Sequence, residues 1–489
     1  MPANDGNVYT RRILMPLKFG TSGVRGLVTD MTDFECYRYA MAFGKVLKET
    51  STAEGVIIAG DLRSSSPRIM TAVAAALTDL NFSVVYAGLI PTPAIALAAM
   101  DKNMGAIMVT GSHIPDDRNG IKFYMPWGEI LKQEEEQISL AASKVNSDAV
   151  SRDFSDAGAL VEKPQLNKPS KWVSDFYCSR YLSLLKDDSL KGLKVVVYQH
   201  STVLREIFPH ILSNLGADVV TVGWSDEFIP LDTEAVQNPV QLSEWVKNHG
   251  ADLLVSADGD GDRPLLVSAQ GTVIRGDVLG VLAASALSAN SVATPVSCNS
   301  QVEKCGYFNK VTRTKIGSPY VIEAMNDLLT KYDSVVGYEA NGGFLTGSII
   351  DIDGQKLKPL PTRDAVLPIL MIMLSLNSSS WSDILESLPN RVTDSLLLRG
   401  VNMDSAKALL DEMKLGIETT QQILGDTFGV VIDINTIDGV RLTFADETVV
   451  HFRPSGNAPE FRAYLEADNE VVTKQLKSLA EEFLLSKLA

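Results

Sequence analysis

The sequence predicts three successive α/β units followed by an α+β domain with an antiparallel sheet. Two observations carry this. Three times a strand–helix–strand run ends in an apolar strand that stops at a polar, glycine-bearing loop: Thr110-Gly-Ser-His113, Asp258-Gly-Asp-Gly-Asp262 and Gly337-Tyr-Glu-Ala-Asn-Gly-Gly343. From about residue 386 the pattern changes to short alternating runs, Val430–Ile434, Gly439–Phe444, Glu447–Phe452 and Arg462–Glu466, with helices near 405–423 and 471–486. At 489 residues the chain is too long for one core, so about three or four domains are expected. Boundaries are expected at 1–165, 166–268, 269–385 and 386–489.

Taken in order, residues 1–16 read as a loosely attached tail. The first unit runs from strand Val56–Ala59 through Gly60-Asp-Leu-Arg63 and a helix over 67–80 to strand Ser83–Tyr86. Pro91 and Pro93 open an alanine-rich helix, and Ala106–Val109 is a buried strand leading into the serine loop. In the second unit, strand Lys194–Tyr198 precedes a helix around 204–215, closed by Gly216, and strand Asp218–Val222. Strand Leu253–Val255 then delivers the aspartate loop. The third unit holds Val292–Val296, the loop Thr314-Lys-Ile-Gly-Ser-Pro319, a helix over 320–329 and strand Ser334–Val336.

Composition narrows the class. A hydrophobic content of 45% with 21% charged residues is ordinary for globular domains. The net charge of −16 argues against nucleic acid or an anionic membrane surface as a partner, so an anionic substrate needs a local cationic pocket. Cys36, Cys178, Cys298 and Cys305 lack paired metal-type spacing, which fits buried thiols in a reducing cytoplasm. Arg11-Arg12 is followed only by Ile13-Leu-Met15, too short for a signal segment. The longest apolar run, 366–376, is interrupted by Pro368 and is too short to span a bilayer. A soluble cytoplasmic protein is expected, monomeric or weakly self-associating.

Three loops carry candidate chemistry. Pro115 and Asn119-Gly120 keep the chain after Val109 irregular, which presents Ser112 and His113 at a strand end, where open α/β sheets place reactive groups. On these residues alone, a plain strand-to-strand connection with a satisfied hydroxyl is the simpler reading. Asp258, Asp260 and Asp262 alternate with Gly259 and Gly261, whose freedom lets three carboxylates converge. Three hard oxygen ligands without nearby Cys or His suit a magnesium-like ion. An EF-hand is excluded, because Arg263 stands where that loop needs glycine and Ala269 where it needs glutamate. A solvated acidic turn is the alternative, but apolar strands on both sides make it costly without a cation. Near the C-terminus, Arg453-Pro-Ser-Gly-Asn-Ala-Pro459 with Arg462 combines arginine, hydroxyl and amide groups around a glycine turn, which suits phosphate.

With these loops together, the chain resembles the α-D-phosphohexomutase superfamily from Phe19 to Glu466, in the family's order. The family's serine loop reads Thr-(Ala/Gly)-Ser-His-Asn-Pro and its metal loop Asp-Gly-Asp-x-Asp-Arg; here Ile114 replaces the usual Asn. The resemblance implies mixed sheets in the three α/β domains and an arrangement of all four domains around a central cleft. It implies a phosphoryl group on Ser112, and Mg²⁺ held by Ser112, Asp258, Asp260 and Asp262. The substrate would be a small sugar phosphate, with a hexose 1,6-bisphosphate as intermediate and activator. Arg25, between two glycines, would feed the site, and His113 and Lys122 are candidates for the hydroxyl proton, although His113 reads equally as a loop-holding residue. Substrate contacts are implied for Arg263, Gly317, Ser318, Glu339, Asn341, Arg453, Ser455, Gly456, Asn457 and Arg462. Asn341 stands where the family usually has Ser, and Gly343 where it often has His. The last motif is most similar to the mannose-phosphate version, so conversion of mannose 1-phosphate and mannose 6-phosphate is expected, with glucose phosphates as further substrates. A phosphoglucosamine mutase, a simple phosphatase and a catalytically silent sugar-phosphate-binding protein are the alternatives.

Overall fold

The computed structural model describes residues 17–20, 23–146, 150–454 and 460–488. The expected tail over 1–16 lies outside the described residues, as do Thr21 and Ser22.

The first unit contains β1 (Lys18–Phe19), β2 (Val24–Leu27), α1 (Asp33–Thr50), β3 (Gly55–Gly60), α2 (Ser66–Asp79) and β4 (Ser83–Leu89). It continues with α3 (Thr92–Lys102), β5 (Gly105–Val109), β6 (Arg118–Met125), β7 (Gly128–Glu129) and α4 (Lys132–Ser143). Its strand order is β1-β2-β6-β5-β3-β4, with β7 on β6. Strands β4, β3 and β5 are parallel, whereas β6, β2 and β1 are antiparallel to their neighbours. Every residue of β3 and β5 is buried, as continuous apolar strands covered on both faces should be.

The second unit has α5 (Trp172–Leu182), β8 (Lys194–His200), α6 (Ile207–Asn214), β9 (Asp218–Trp224), α7 (Pro239–His249), β10 (Leu253–Ala257), β11 (Pro264–Ser268) and β12 (Val273–Ile274). Its sheet, β12-β11-β10-β8-β9, reaches past the boundary expected after residue 268, because β12 pairs with β11. In the third, α8 (Gly276–Ala286), β13 (Ser291–Pro295), α9 (Gln301–Lys304), β14 (Lys310–Thr314) and α10 (Ser318–Leu329) come first. They are followed by β15 (Val335–Tyr338), β16 (Phe344–Thr346), β17 (Ile350–Ile352), β18 (Gln355–Leu357), β19 (Leu360–Asp364), α11 (Val366–Leu376) and α12 (Trp381–Glu386). The main sheet here is β14-β13-β15-β16-β19.

One device repeats. In each unit a parallel core of strands turns antiparallel at a single hairpin: β5 to β6, β10 to β11, and β15 to β16. Each hairpin carries one of the three polar loops.

The fourth unit has β20 (Val392–Arg399), α13 (Met403–Met413), α14 (Ile417–Leu424), β21 (Val431–Asn435), β22 (Val440–Phe444), β23 (Val449–Pro454), β24 (Glu460–Ala467) and α15 (Glu470–Leu488). Its sheet is antiparallel in the order β20-β24-β23-β22-β21. The helix expected over 405–423 is two helices, broken at Gly416, whose φ of 139° no L side chain adopts readily. Strand β20 was not foreseen.

A single buried apolar cluster runs through the first three units, including Ile57, Tyr177, Leu279 and Leu370. The fourth has a core of its own around Leu410, Phe444, Phe452 and Phe483. Polar contacts join it to the third: Ser300 N donates to Glu466 Oε1 at 3.0 Å and Ile316 N to Asp438 Oδ2 at 3.0 Å. Among the described residues no helix is long and apolar enough to cross a membrane; the run 366–376 is the buried helix α11.

Candidate active site

Ser112 sits on the β5–β6 hairpin with a φ of 59°, a left-handed conformation that a non-glycine residue holds only where its surroundings impose it. Those surroundings are explicit. Ser112 N donates to Thr110 Oγ1 at 2.7 Å, and Thr110 Oγ1 donates to Asp61 Oδ2 at 2.6 Å. The fully buried Arg63 donates from Nη2 to Ser112 O at 2.9 Å and to Ile114 O at 2.5 Å. Its Nη1 reaches Pro115 O at 2.7 Å and Arg118 O at 3.1 Å, and its Nε reaches Asp61 Oδ2 at 3.1 Å. The loop is therefore wrapped around one guanidinium. Position 114 meets Arg63 through its carbonyl, which any residue supplies.

The β10–β11 hairpin brings the aspartates under this serine. Ser112 Oγ donates to Asp258 Oδ2 at 2.6 Å. Asp258, Asp260 and Asp262 are fully buried and can each aim an oxygen within 4.8 Å of the others. The two glycines between them do different work. Gly261 takes a φ of 69°, whereas Gly259 has ordinary angles and is needed for room, since a Cβ there would lie 2.7 Å from Ser112 O.

Cations surround the trio. Lys122 Nζ donates to Asp260 Oδ2 at 2.6 Å and to Asp262 Oδ2 at 2.7 Å. Arg363 donates to Asp262 Oδ2 from Nε at 3.1 Å and Nη2 at 2.9 Å. Thr92, opening α3, donates from N to Asp260 O at 3.0 Å and from Oγ1 to Asp260 Oδ2 at 2.5 Å. Burial pushes Asp262 up, but Arg363, Lys122 and Arg263 outweigh it and hold the carboxyl below its ordinary range. For Asp258, burial and then the charges of Asp260 and Asp262 push the carboxyl well above its ordinary range. Burial works against the Lys122 ammonium, but Asp260 and Asp262 outweigh it and raise its pKa. His113 is the reverse. Burial, then Arg263 and Arg25, lower its pKa to about 2, so the ring is neutral. Its Nδ1 lies 2.9 Å from Arg263 Nη1, which can only donate, and 3.3 Å from Ser112 Oγ.

A cleft of about 500 Å³ opens over these loops, a size that suits a small polar molecule. Arg25, His113, Arg263, Gly317, Glu339, Asn341, Arg453 and Arg462 all line it. Glu339 Oε2 accepts from Arg363 Nη1 at 2.7 Å, and Asn341 Oδ1 accepts Gly343 N at 2.9 Å within the β15–β16 turn. Arg453 Nε donates to Asp438 Oδ1 at 2.9 Å. Ser318 is placed differently from the sequence expectation: it is fully buried at the start of α10, and its Oγ donates to Glu129 Oε1 at 2.7 Å. Ser455, Gly456 and Asn457 lie outside the described residues.

Sequence reasoning missed Asp61, Arg63, Thr92, Lys315 and Arg363. Lys315 lines the cleft, and its place just before Gly317 was a usable signal. Asp61 and Arg63 sat in a loop at a strand end, also a signal. Thr92 and Arg363 gave none, since each meets the aspartates only across a domain boundary.

Three family models match the chain. Phosphoglucomutase/phosphomannomutase alpha/beta/alpha domains I, II and III match residues 16–148, 175–271 and 275–392. This chain belongs to the phosphoglucomutase/phosphomannomutase family. A phosphomannomutase of Salmonella muenchen is 41% identical over 456 residues, covering 93% of this chain and 92% of that one. Another from Sinorhizobium fredii is 41% identical over 469 residues, covering 94% and 97%. A phosphoglucosamine mutase of Nautilia profundicola is more distant, 29% identical over 501 residues, with 96% and 99% covered. In fold, the chain matches a phosphoglucomutase/phosphomannomutase family protein from Burkholderia thailandensis with a TM-score of 0.71 at 20% identity, covering 96% of each.

Members of this family use a metal ion, and the aspartates fit one. Asp260 Oδ1 and Asp262 Oδ1 are buried oxygens without a hydrogen-bond partner, while the second oxygen of each is taken by Lys122, Thr92 or Arg363. Two such orphaned oxygens beside Asp258 Oδ2 are costly unless a cation meets them. An all-oxygen donor set suits a hard divalent ion.

Proposed function

We propose that the protein is a phosphohexomutase that interconverts mannose 1-phosphate and mannose 6-phosphate, and glucose phosphates more slowly, through a phosphoserine at position 112. The observation that carries this is Ser112 Oγ, 2.6 Å from Asp258 in a cluster with two unpartnered carboxylate oxygens, next to His113 of a cleft lined by five arginines. The relatives at 41% identity favour mannose.

In the first half-reaction the P–Oγ bond of phosphorylated Ser112 breaks and a P–O bond forms to the free hydroxyl of a hexose 1-phosphate. The product is a hexose 1,6-bisphosphate. The hydroxyl proton passes from the sugar to the departing Ser112 Oγ, while neutral His113, whose Nδ1 accepts from Arg263 Nη1 at 2.9 Å, holds the loop beside it. Lys122, against Asp260 and Asp262, adds positive charge there and is a candidate carrier of that proton. After the intermediate reorients, Ser112 attacks the other phosphate and recovers a phosphoryl group. Asp258, Asp260 and Asp262, with phosphorylated Ser112, would hold Mg²⁺, which would neutralise charge on the transferring group. Arg263 and Arg25 add to it. Glu339 and Asn341 are assigned to the sugar hydroxyls. Arg453 and Arg462, with Gly317 of the third domain and Ser455, Gly456 and Asn457 of the last motif, are assigned to the phosphate that is not reacting. Three buried thiols and one partly buried, none paired, favour a reducing cytoplasm.

The test is a panel of hexose 1-phosphates, assayed with Mg²⁺ and a hexose 1,6-bisphosphate as activator. Mannose 1-phosphate should turn over fastest. Fastest turnover of glucosamine 1-phosphate would reassign the substrate, and release of inorganic phosphate without isomerisation would make the protein a phosphatase.

A further inference from the structure

Arg363 stands where three units meet. Its side chain is 4% exposed. From Nε and Nη2 it holds Asp262 Oδ2 of the second unit, and from Nη1 it holds Glu339 Oε2 of the third. Its strand is itself fixed at both sides. Thr362 Oγ1 donates to Glu129 Oε2 of the first unit at 3.4 Å, and Asp364 Oδ1 accepts from Tyr177 OH of the second at 2.7 Å.

The chain keeps space for this guanidinium. A Cβ on Gly343 would lie 2.5 Å from Arg363 Cδ. Gly343 is not among the residues with positive φ, so the stem of Arg363, and not the backbone, excludes a side chain there. Gly343 and Arg363 are a matched pair.

No covalent link within a domain sets the distance between Asp262 and Glu339. They sit on different hairpins of different units, and the fork of one arginine spans them. A planar guanidinium with three donors in use fixes two carboxylates more tightly than a point charge can. We propose that Arg363 is a positioning residue for phosphoryl transfer: by clamping Glu339 to Asp262, it sets the height of the bound sugar hydroxyl above the phosphoryl group on Ser112. This rests on the reading of Glu339 as a sugar-hydroxyl acceptor. A misplacement of about 1 Å in such an arrangement costs about 10²-fold in rate. Water attacking the same phosphoserine is not held by Glu339, so a loss through Glu339 falls on the sugar rate, whereas a loss through Asp262 falls on both rates and leaves their ratio unchanged.

The experiment uses full-length protein, phosphorylated on Ser112 and supplied with Mg²⁺, in single-turnover mode. Two rates are measured, phosphoryl transfer to mannose 1-phosphate and hydrolysis by water. In Arg363→Lys the ratio of sugar transfer to hydrolysis should fall by about 10²-fold. Gly343→Ala should lower the same ratio while leaving every charge in place, which keeps the test open if the lysine variant misfolds. Adding Glu339→Gln to Arg363→Lys should lower it little further, since both act through one carboxylate. An unchanged ratio in both Arg363→Lys and Gly343→Ala, or fully additive losses, overturns the proposal. If Glu339→Gln alone leaves sugar transfer at the wild-type rate, the underlying reading of Glu339 fails with it; if Glu339→Gln is slow and Arg363→Lys is not, only the clamp fails.

Discussion

At the scale of single residues, the site is a set of charges that hold one another in place. Ser112 is the proposed nucleophile, and its Oγ donates to Asp258 Oδ2 at 2.6 Å. Ser112→Ala should abolish nearly all turnover while sugar-phosphate binding survives, measured by calorimetry alongside a steady-state assay. Intact-protein mass spectrometry should find the phosphoryl adduct on Ser112 and none on the variant. Asp260→Asn changes little volume but removes charge from an oxygen set already short of partners. It should cut kcat by about 10²–10³, the scale of losing one electrostatic stabiliser, with the fold intact by circular dichroism. A chelator that left the wild-type rate unchanged would contradict the metal reading.

Histidines add a pH dependence of stability. Burial lowers His200 and His451 to about 4 each, against an ordinary value near 6.5. Below about pH 6.5 the unfolded chain takes up protons at these rings that the folded chain refuses, so stability falls as pH drops from about 6.5 toward 4. The slope is up to about 1.4 kcal/mol per pH unit for each ring. His451→Gln should flatten part of that slope in urea unfolding curves recorded between pH 7 and 4. An unchanged slope would mean that the ring charges in the folded protein.

At the scale of elements, each α/β unit turns from parallel to antiparallel at one hairpin and puts its chemistry there. The hairpins do not hold their shape unaided. The serine loop depends on Arg63, which donates to four carbonyls of 112–118 and to Asp61. Arg63→Met would strand the buried Asp61 carboxylate and free those carbonyls. A loss of about 3–5 kcal/mol is expected in denaturant unfolding, together with a fall in kcat larger than any change in KM. A stable variant with normal kcat would show that the loop keeps its left-handed Ser112 without the guanidinium.

For the whole molecule, the division is between a shared core and a separate one. The first three units pack around one apolar cluster, whereas the fourth has its own and meets the third through polar contacts such as Asp438 with Ile316 N. Asp438 also holds Arg453, so one carboxylate ties this cleft-lining arginine to the neighbouring domain. Asp438→Ala should raise KM for mannose 1-phosphate and mannose 6-phosphate alike and enlarge the radius of gyration in solution scattering. The two-ended chemistry makes the comparison of directions decisive for Arg453→Ala. A defect confined to the forward or the reverse reaction would mean that Arg453 does not grip whichever phosphate is idle.

The sequence by itself determined the three α/β units, the antiparallel last domain, and the three loops, because apolar strands and glycine-marked turns are local signals. Residues Ser112, Asp258, Asp260, Asp262, Glu339 and Arg453 were legible for the same reason: each stands in a loop whose composition announces it. Helix breaks were only partly legible, since Gly416 within 405–423 reads as a tolerable glycine until its φ of 139° is known. Strand β20 stayed hidden because its partner, β24, lies more than sixty residues on and supplies the pairing. What only the tertiary structure decided was which charges meet. Thr92 reaches Asp260 across 168 residues and Arg363 reaches Asp262 across 101. Such contacts are set by how domains dock, and a local window carries no trace of them. The same holds for Ser318, which looked like a cleft residue and was turned inward to Glu129 by the docking of the first domain on the third.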